Sequence, residues 1–91
     1  LIRTEKLEAK LVTALAASEP DNVKAQLDCA DLEVIGGDLD AAFNRLIDCV
    51  RRFAGPDRTA AKDHLLALFQ LVDPADPRLK VARTSLASAL F

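Results

Sequence analysis

Residues 21–54 read DNVKAQLDCADLEVIGGDLDAAFNRLIDCVRRFA, and this stretch decides the fold. Its first half places Val23, Leu27, Ala30 and Val34 at steps of four, three and four, the spacing that gathers side chains on one face of an α-helix. Gly36 and Gly37 interrupt the pattern. Glycine reaches positive φ without a Cβ clash and so ends a helix at low cost. Asp38 follows as an N-cap, its carboxylate accepting from the free N–H groups of a first turn. The second half puts Leu39, Phe43, Leu46 or Ile47, Val50 and Phe53 on one face. A hairpin of this size cannot bury both stripes alone and needs neighbours of the same kind. The expectation is a helical-repeat domain without catalytic chemistry.

Toward the N-terminus the spacing predicts a helix over 3–18, with Leu7, Leu11 and Leu15 at steps of four and Thr4 as its cap. Pro20 closes it, because proline disfavours helical geometry at Glu19 and cannot continue the ladder. Asp21 or Asn22 then caps the next helix, and the central hairpin is expected as helices over 22–36 and 38–54. Gly55-Pro56-Asp57 is a second break. The Pro-Asp pair at 56–57 repeats that at 20–21 with a spacing of 36, close to the ~34-residue period of tetratricopeptide repeats. A fourth helix is expected over 58–72, burying Ala61, Leu65, Leu68, Phe69 and Val72. Asp73-Pro74-Ala75-Asp76-Pro77 makes a rigid turn, with Asp76 as cap and Pro77 as first helical residue. The fifth helix, 77–90, buries Leu79, Ala82, Leu86 and Leu90 and puts Arg78, Lys80 and Arg83 on its opposite side.

The architecture expected is therefore all-α: about five helices, stacked as antiparallel hairpins in a short tetratricopeptide-like solenoid spanning 1–91 as one domain. Hairpins 22–54 and 57–91 leave the first helix unpaired. It reads as the second helix of a repeat whose first half lies upstream, exposing an apolar flank that upstream sequence or a second copy would cover. A start at Leu1 and the absence of methionine point to a piece of a longer protein.

Composition agrees. The 91 residues make one small domain, and the 51% hydrophobic content is mostly Leu, Ala and Val, without Trp or Tyr, which favours helix over strand. Net charge is −2 with both signs interspersed, so no basic stripe supports nucleic-acid binding. No apolar run approaches the ~18 residues of a membrane span, and no signal peptide is visible.

Little in the chain resembles a reaction centre. His64, the single histidine, stands one residue before the core position Leu65 and reads as a half-buried, hydrogen-bonded structural group. Cys29 and Cys49 form no CxxC pair and read as reduced, buried small hydrophobes. With His64 they lack zinc-ligand spacing. Gly36-Gly37 lacks the strand and Lys-Ser/Thr of a phosphate loop. The aspartates adjoin helix ends, where capping explains them. No catalytic, metal or cofactor residue is assigned. What remains is binding, on two surfaces. Off-core positions Gln26, Glu33, Lys62 and Leu66 would line the groove of stacked first helices. Leu86, Ala87, Leu90 and Phe91 leave a bulky apolar C-terminal end, which serves either as core against helix four or as a docking surface.

The run AQLDCADLEVIGGDLDAAFNRLIDCVRR, followed by HLLALFQLVDPADPRLKVARTSLASALF, resembles the C-terminal region of the thioredoxin-like chaperedoxins of the CnoX/YbbN type. The most specific part is the LLxLF helix, the turn formed by Asp73, Pro74, Asp76, Pro77 and Arg78, and the ending Ser88–Phe91. The resemblance implies a bacterial cytoplasmic protein with an upstream thioredoxin-like domain, protecting unfolded clients under oxidative stress and docking on a chaperonin. Cys29 and Cys49 match no thioredoxin motif and take no redox role from it. The large aromatics usual in a first repeat helix are absent, with Gln26 and Cys29 in their region. The alternative function is a structural or oligomerisation adaptor, dimerising through the N-terminal helix.

Overall fold

The expected helices form, and the third of them sits at the centre. In this computed structural model the backbone is described for residues 2–90 and the side chains for residues 9–90. The elements are α1 (Ile2–Ser18), α2 (Val23–Ile35), α3 (Leu39–Arg52), α4 (Gly55–Phe69) and α5 (Pro77–Leu90), with no strand among the described residues. α1 packs on α2, α2 packs on α3 and α4, and α3 packs on both α4 and α5. The extents of 40 × 31 × 15 Å are those of helices laid side by side.

Local chemistry sets the joints. Asn22, of the two expected caps, takes the role: its side chain accepts from the Ala25 N–H at 3.1 Å. At the end of α2, Gly37 adopts φ +86°. Its N–H donates to the Val34 carbonyl at 3.0 Å and the Asp38 N–H to the Glu33 carbonyl at 2.8 Å, a Schellman closure that satisfies carbonyls left open by the helix end. The Asp38 carboxylate then accepts from the Ala41 N–H at 3.1 Å. One aspartate thus helps end α2 and begins α3.

The break at Gly55-Pro56 is itself the start of α4, three residues earlier than the spacing predicts. Gly55 turns the chain with φ +62°, and Pro56 occupies the first turn, where a missing N–H costs nothing. The helix also ends earlier, at Phe69. Leu71 and Val72 continue with N–H groups directed to the carbonyls of Leu68 and Phe69 at 3.0 and 3.3 Å, which keeps Val72 on the core although it is no longer helical. The turn that follows is built on aspartates. Asp73 accepts from the Ala75 N–H at 2.9 Å. Asp76 caps α5 by accepting from the Arg78 N–H at 2.9 Å, and the Arg78 guanidinium grips the same carboxylate at 2.8 and 3.2 Å. That guanidinium, helped by the Arg78 N–H, holds the Asp76 carboxyl below its ordinary 3.8.

The main core gathers Ala42, Phe43, Leu46, Ile47, Cys49 and Val50 of α3, Ala61, Leu65, Leu68 and Phe69 of α4, and Leu79, Ala82 and Leu86 of α5, with Ala30 from α2. Phe43 and Phe69 meet edge to face, with centroids 5.3 Å apart, a geometry worth ~0.5–1.5 kcal/mol beyond area burial. A second, smaller cluster joins Ala16 of α1 to Ala25 and Cys29 of α2, with Val12 beside it. α2 is therefore apolar on two sides, one toward α1 and one toward α3 and α4. A single stripe through Val23, Leu27, Ala30 and Val34 captures only the second.

The second pair of helices is opened. α4 and α5 each pack closely on α3, but their backbones do not approach one another as the other neighbours do. Bulky residues such as Leu65, Phe69, Leu79 and Leu86 fill this half of the core, and the connection through residues 70–76 is long enough to let the helices part.

Two outcomes test this packing. Ala42 is fully buried in α3, so Ala42→Leu overpacks the contact and lowers unfolding free energy by ~1–3 kcal/mol in urea titration. Asp76→Asn keeps a capping oxygen but removes the charge. Because the folded carboxyl titrates below 3.8, its pair with Arg78 stabilises the fold above that pH and fades as pH falls through the folded value. The variant therefore melts below the wild type at neutral pH, and the gap narrows as circular dichroism melts are repeated below pH 3.8.

Candidate protein-binding site

The parting of α4 from α5 leaves an apolar groove of about 300 Å³, lined by Leu66, Phe69 and Gln70 on one side and Arg83, Leu86 and Leu90 on the other. Leu66 is 43% exposed, whereas Phe69 and Leu86 are buried and form the floor. Leu90 is half-buried and packs against the core. The exposed Ala87 completes the α5 wall. Of the C-terminal residues expected as core or as a docking surface, Leu86, Ala87 and Leu90 line this groove. Phe91, expected to share it, lies outside the described residues.

Arg83 belongs to this groove and not to the opposite side of α5. Its guanidinium stands 6.0 Å from the centre of the Phe69 ring. The signal was present in the sequence: Arg83 follows Leu79 by four residues and precedes Leu86 by three, which places it at the edge of the apolar stripe. Gln70 and Phe69 were likewise missed as lining, since α4 was expected to run past them as a buried face.

The other expected binding residues do not converge. Gln26 is only 3% exposed; it is an interior linker, not a groove-side residue. Its amide nitrogen donates to the carbonyls of Ala16 at 2.9 Å and Pro20 at 3.3 Å, and its oxygen accepts from Arg45 at 2.6 Å. Glu33 faces the same arginine, accepting at 2.7 and 3.5 Å. The Glu33 hydrogen bond raises the Arg45 pKa above its already high ordinary value. Three helices are tied by this one guanidinium: α3 carries it, α2 supplies both acceptors, and Gln26 passes the link to the end of α1. Lys62 is half-buried on α4 and has no carboxylate partner among the described residues. An open cleft of about 620 Å³ lies above the network, between Ala16 and Pro20 on one side and Arg45, Asp48 and Arg52 on the other.

The histidine and the two cysteines are held within the structure. His64 Nε2 lies 2.7 Å from Asp31 Oδ1, joining α4 to α2 in a half-exposed setting. Cys29 and Cys49 are both free and buried, in different clusters, and burial pushes the Cys49 thiol up, away from the reactive thiolate. Among the described residues no cluster of histidine, cysteine and carboxylate side chains could hold a metal ion. No helix among the described residues is long and apolar enough to cross a membrane. A second apolar surface lies on α1, where Leu11 is 61% and Leu15 39% exposed. An open groove between α1 and α2 runs beside it, past Ala14, Ala17 and Leu32.

Gln26→Met keeps the volume of the side chain and removes its polar contacts. The Ala16 carbonyl loses its side-chain partner and Arg45 one acceptor, which costs ~1–3 kcal/mol in chemical denaturation. α1 amides exchange faster than those of α3 in the same variant.

Comparison with known proteins agrees with this architecture. Residues 3–91 match the tetratricopeptide repeat family. Over 78 residues, 86% of this chain and 26% of the relative, the sequence is 44% identical to the uncharacterized protein Rv1324 of Mycobacterium tuberculosis (strain ATCC 25618 / H37Rv). It is similar to the same extent to the uncharacterized protein Mb1359 of Mycobacterium bovis (strain ATCC BAA-935 / AF2122/97). The chain spans about a quarter of the length of the curated relatives it matches. No solved structure matches it. Helical hairpins over the whole described chain, and a family match from residue 3 to residue 91, lead to one conclusion: the chain belongs to the tetratricopeptide-repeat family.

Proposed function

We propose that this chain is the protein-binding module of a thioredoxin-like co-chaperone, docking unfolded clients or a chaperonin through its α4–α5 end. Repeats of this family generally bind other proteins, and His64, Cys29 and Cys49 are each engaged within the fold. The observation that carries the reading is the apolar groove between α4 and α5, with Leu66 exposed at its rim. The same end of the chain holds the residues that resemble the chaperedoxins: the LLxLF helix, the Asp73–Arg78 turn and the last helix. In this reading the module lies downstream of a thioredoxin-like domain in a cytoplasmic protein. Lys62 stands on α4 beside the groove-bearing face and serves as a peripheral contact.

A second reading, an oligomerisation adaptor pairing through the N-terminal helix, is favoured by the exposure of Leu11 and Leu15. The two are separable. In the first, the chain slows aggregation of heat-unfolded citrate synthase or co-sediments with purified chaperonin, Leu66→Asp with Ala87→Asp abolishes this, and Leu11→Ser with Leu15→Ser does not. In the second, sedimentation equilibrium finds a dimer that only the α1 substitutions dissociate. A chain that neither protects the client nor binds chaperonin overturns the co-chaperone reading.

A further inference from the structure

We infer that the α4–α5 groove takes a partner segment in which a bulky apolar side chain sits beside a carboxylate, with Arg83 as that carboxylate's counter-ion. The inference rests on the docking reading above and adds the charge of what docks.

The groove has two chemistries in one small volume. Leu66, Leu86 and Leu90 offer aliphatic walls over the Phe69 ring, and about 300 Å³ accommodates one or two large side chains. Arg83 stands at the wall with its guanidinium 6.0 Å from the ring centre, within the range at which an aromatic face attracts a cation and limits its wandering. The charge it carries is available. Arg45, Arg52 and Arg78 each hold a carboxylate at 2.7 or 2.8 Å, and among the described residues Arg83 holds none. An arginine next to an apolar wall, without an internal partner, complements a carboxylate that arrives with an apolar neighbour. The Gln70 side chain, at the opposite wall, supplies a neutral hydrogen-bonding group and does not cancel the charge. An amphipathic helix with leucines one turn apart and an acidic residue flanking them presents this pattern, and laying its apolar face into a groove between two helices is an established mode of peptide recognition.

The probe is a fluorescein-labelled, alanine-based helical peptide with two leucines one turn apart and an aspartate beside them, with its asparagine and lysine analogues, titrated by anisotropy at low salt. The wild-type chain binds the aspartate peptide about fivefold more tightly than the asparagine analogue, the size expected of a partly shielded ion pair. Arg83→Gln removes that preference while leaving the asparagine analogue bound as before. Arg83→Glu reverses it in favour of the lysine analogue. Equal binding of the aspartate and asparagine peptides, or a preference that survives Arg83→Gln, overturns the inference while the docking reading stands. Failure of all three peptides to bind a chain that still protects its client has the same consequence. A groove filled by a second copy, seen as a dimer that Leu66→Asp dissociates, also overturns it. Loss of client protection together with peptide binding intact would instead remove the co-chaperone reading alone.

Discussion

Burial of α3 on three sides is the constraint that arranges everything else. Ala42, Phe43, Leu46, Ile47, Cys49 and Val50 are each no more than 3% exposed. Fully burying a Leu, Ile, Val or Phe side chain contributes ~1.5–3 kcal/mol, so no neighbour can leave this helix without a large loss. α2, α4 and α5 all answer to it. α5 is the last helix, yet it seats on α3 across the chain and not simply beside α4. Two helices drawn to one partner, with large leucines and phenylalanine between them, part along their outer edge. The groove follows from how α3 is satisfied, without any separate binding element.

Polar contacts divide along the same line. Toward the N-terminal side, the Arg45 guanidinium reaches Glu33 and Gln26, and Gln26 reaches the end of α1. Among the described residues no buried side-chain nitrogen or oxygen is left without a partner, so this network adds specificity at little desolvation cost. Arg52 does a looser version of the same work at the surface. It pairs with Asp48 at 2.7 Å, donates to the Pro20 carbonyl at 3.3 Å and lies over the Phe53 ring at 5.1 Å. Exposed pairs of this kind contribute only ~0–1 kcal/mol. Their effect is to fix the α1–α2 turn against the end of α3, while α1 itself rests on a cluster of small residues, Ala16, Ala25 and Cys29 with Val12. The first helix is thus the more weakly held part of the solenoid, and it is also where leucines face solvent.

How much of this was legible in the sequence depends on how many neighbours a helix has. α3 has one broad apolar face and hydrophilic residues elsewhere, so its period identified Phe43 and Val50, and where it left Leu46 or Ile47 as alternatives both are buried. α4 and α5 were nearly as clear: Ala61, Leu65, Leu68, Leu79, Ala82 and Leu86 are all buried. α2 was not, because it is packed on two sides and its second face is made of Ala25, Gln26 and Cys29. A glutamine at such a position looks solvated until the carbonyls of Ala16 and Pro20 are brought to it by a turn that no periodicity encodes. The start of α4 was displaced for a related reason, since Gly-Pro reads as a break while Pro56 is also well suited to a first helical turn. The groove escaped altogether as a shape. Phe69 and Leu86 were expected as core, Leu66 in a different groove and Arg83 on the far side of the helix, and the gap between α4 and α5 that joins them depends on three-dimensional competition for α3.

That competition also bears on what the fold leaves over for a partner. A reaction centre needs a charged or nucleophilic group held in place yet left unspent. Here several such groups hold the fold together: His64 pairs with Asp31, Arg45 with Glu33 and Gln26, Arg78 with its cap Asp76, and both thiols lie within the core. A domain this small has little core to spare, so nearly every polar side chain that reaches inward is used to join elements. What the fold can offer a partner is what such joining leaves over, namely apolar surface where two helices fail to close. Arg83 gives this surface a sign. It sits beside Phe69 on a helix whose first-turn arginine, Arg78, is already committed to a cap. A guanidinium without a carboxylate at the edge of an apolar groove selects among partners, because a segment with the wrong charge would desolvate two like charges against one another.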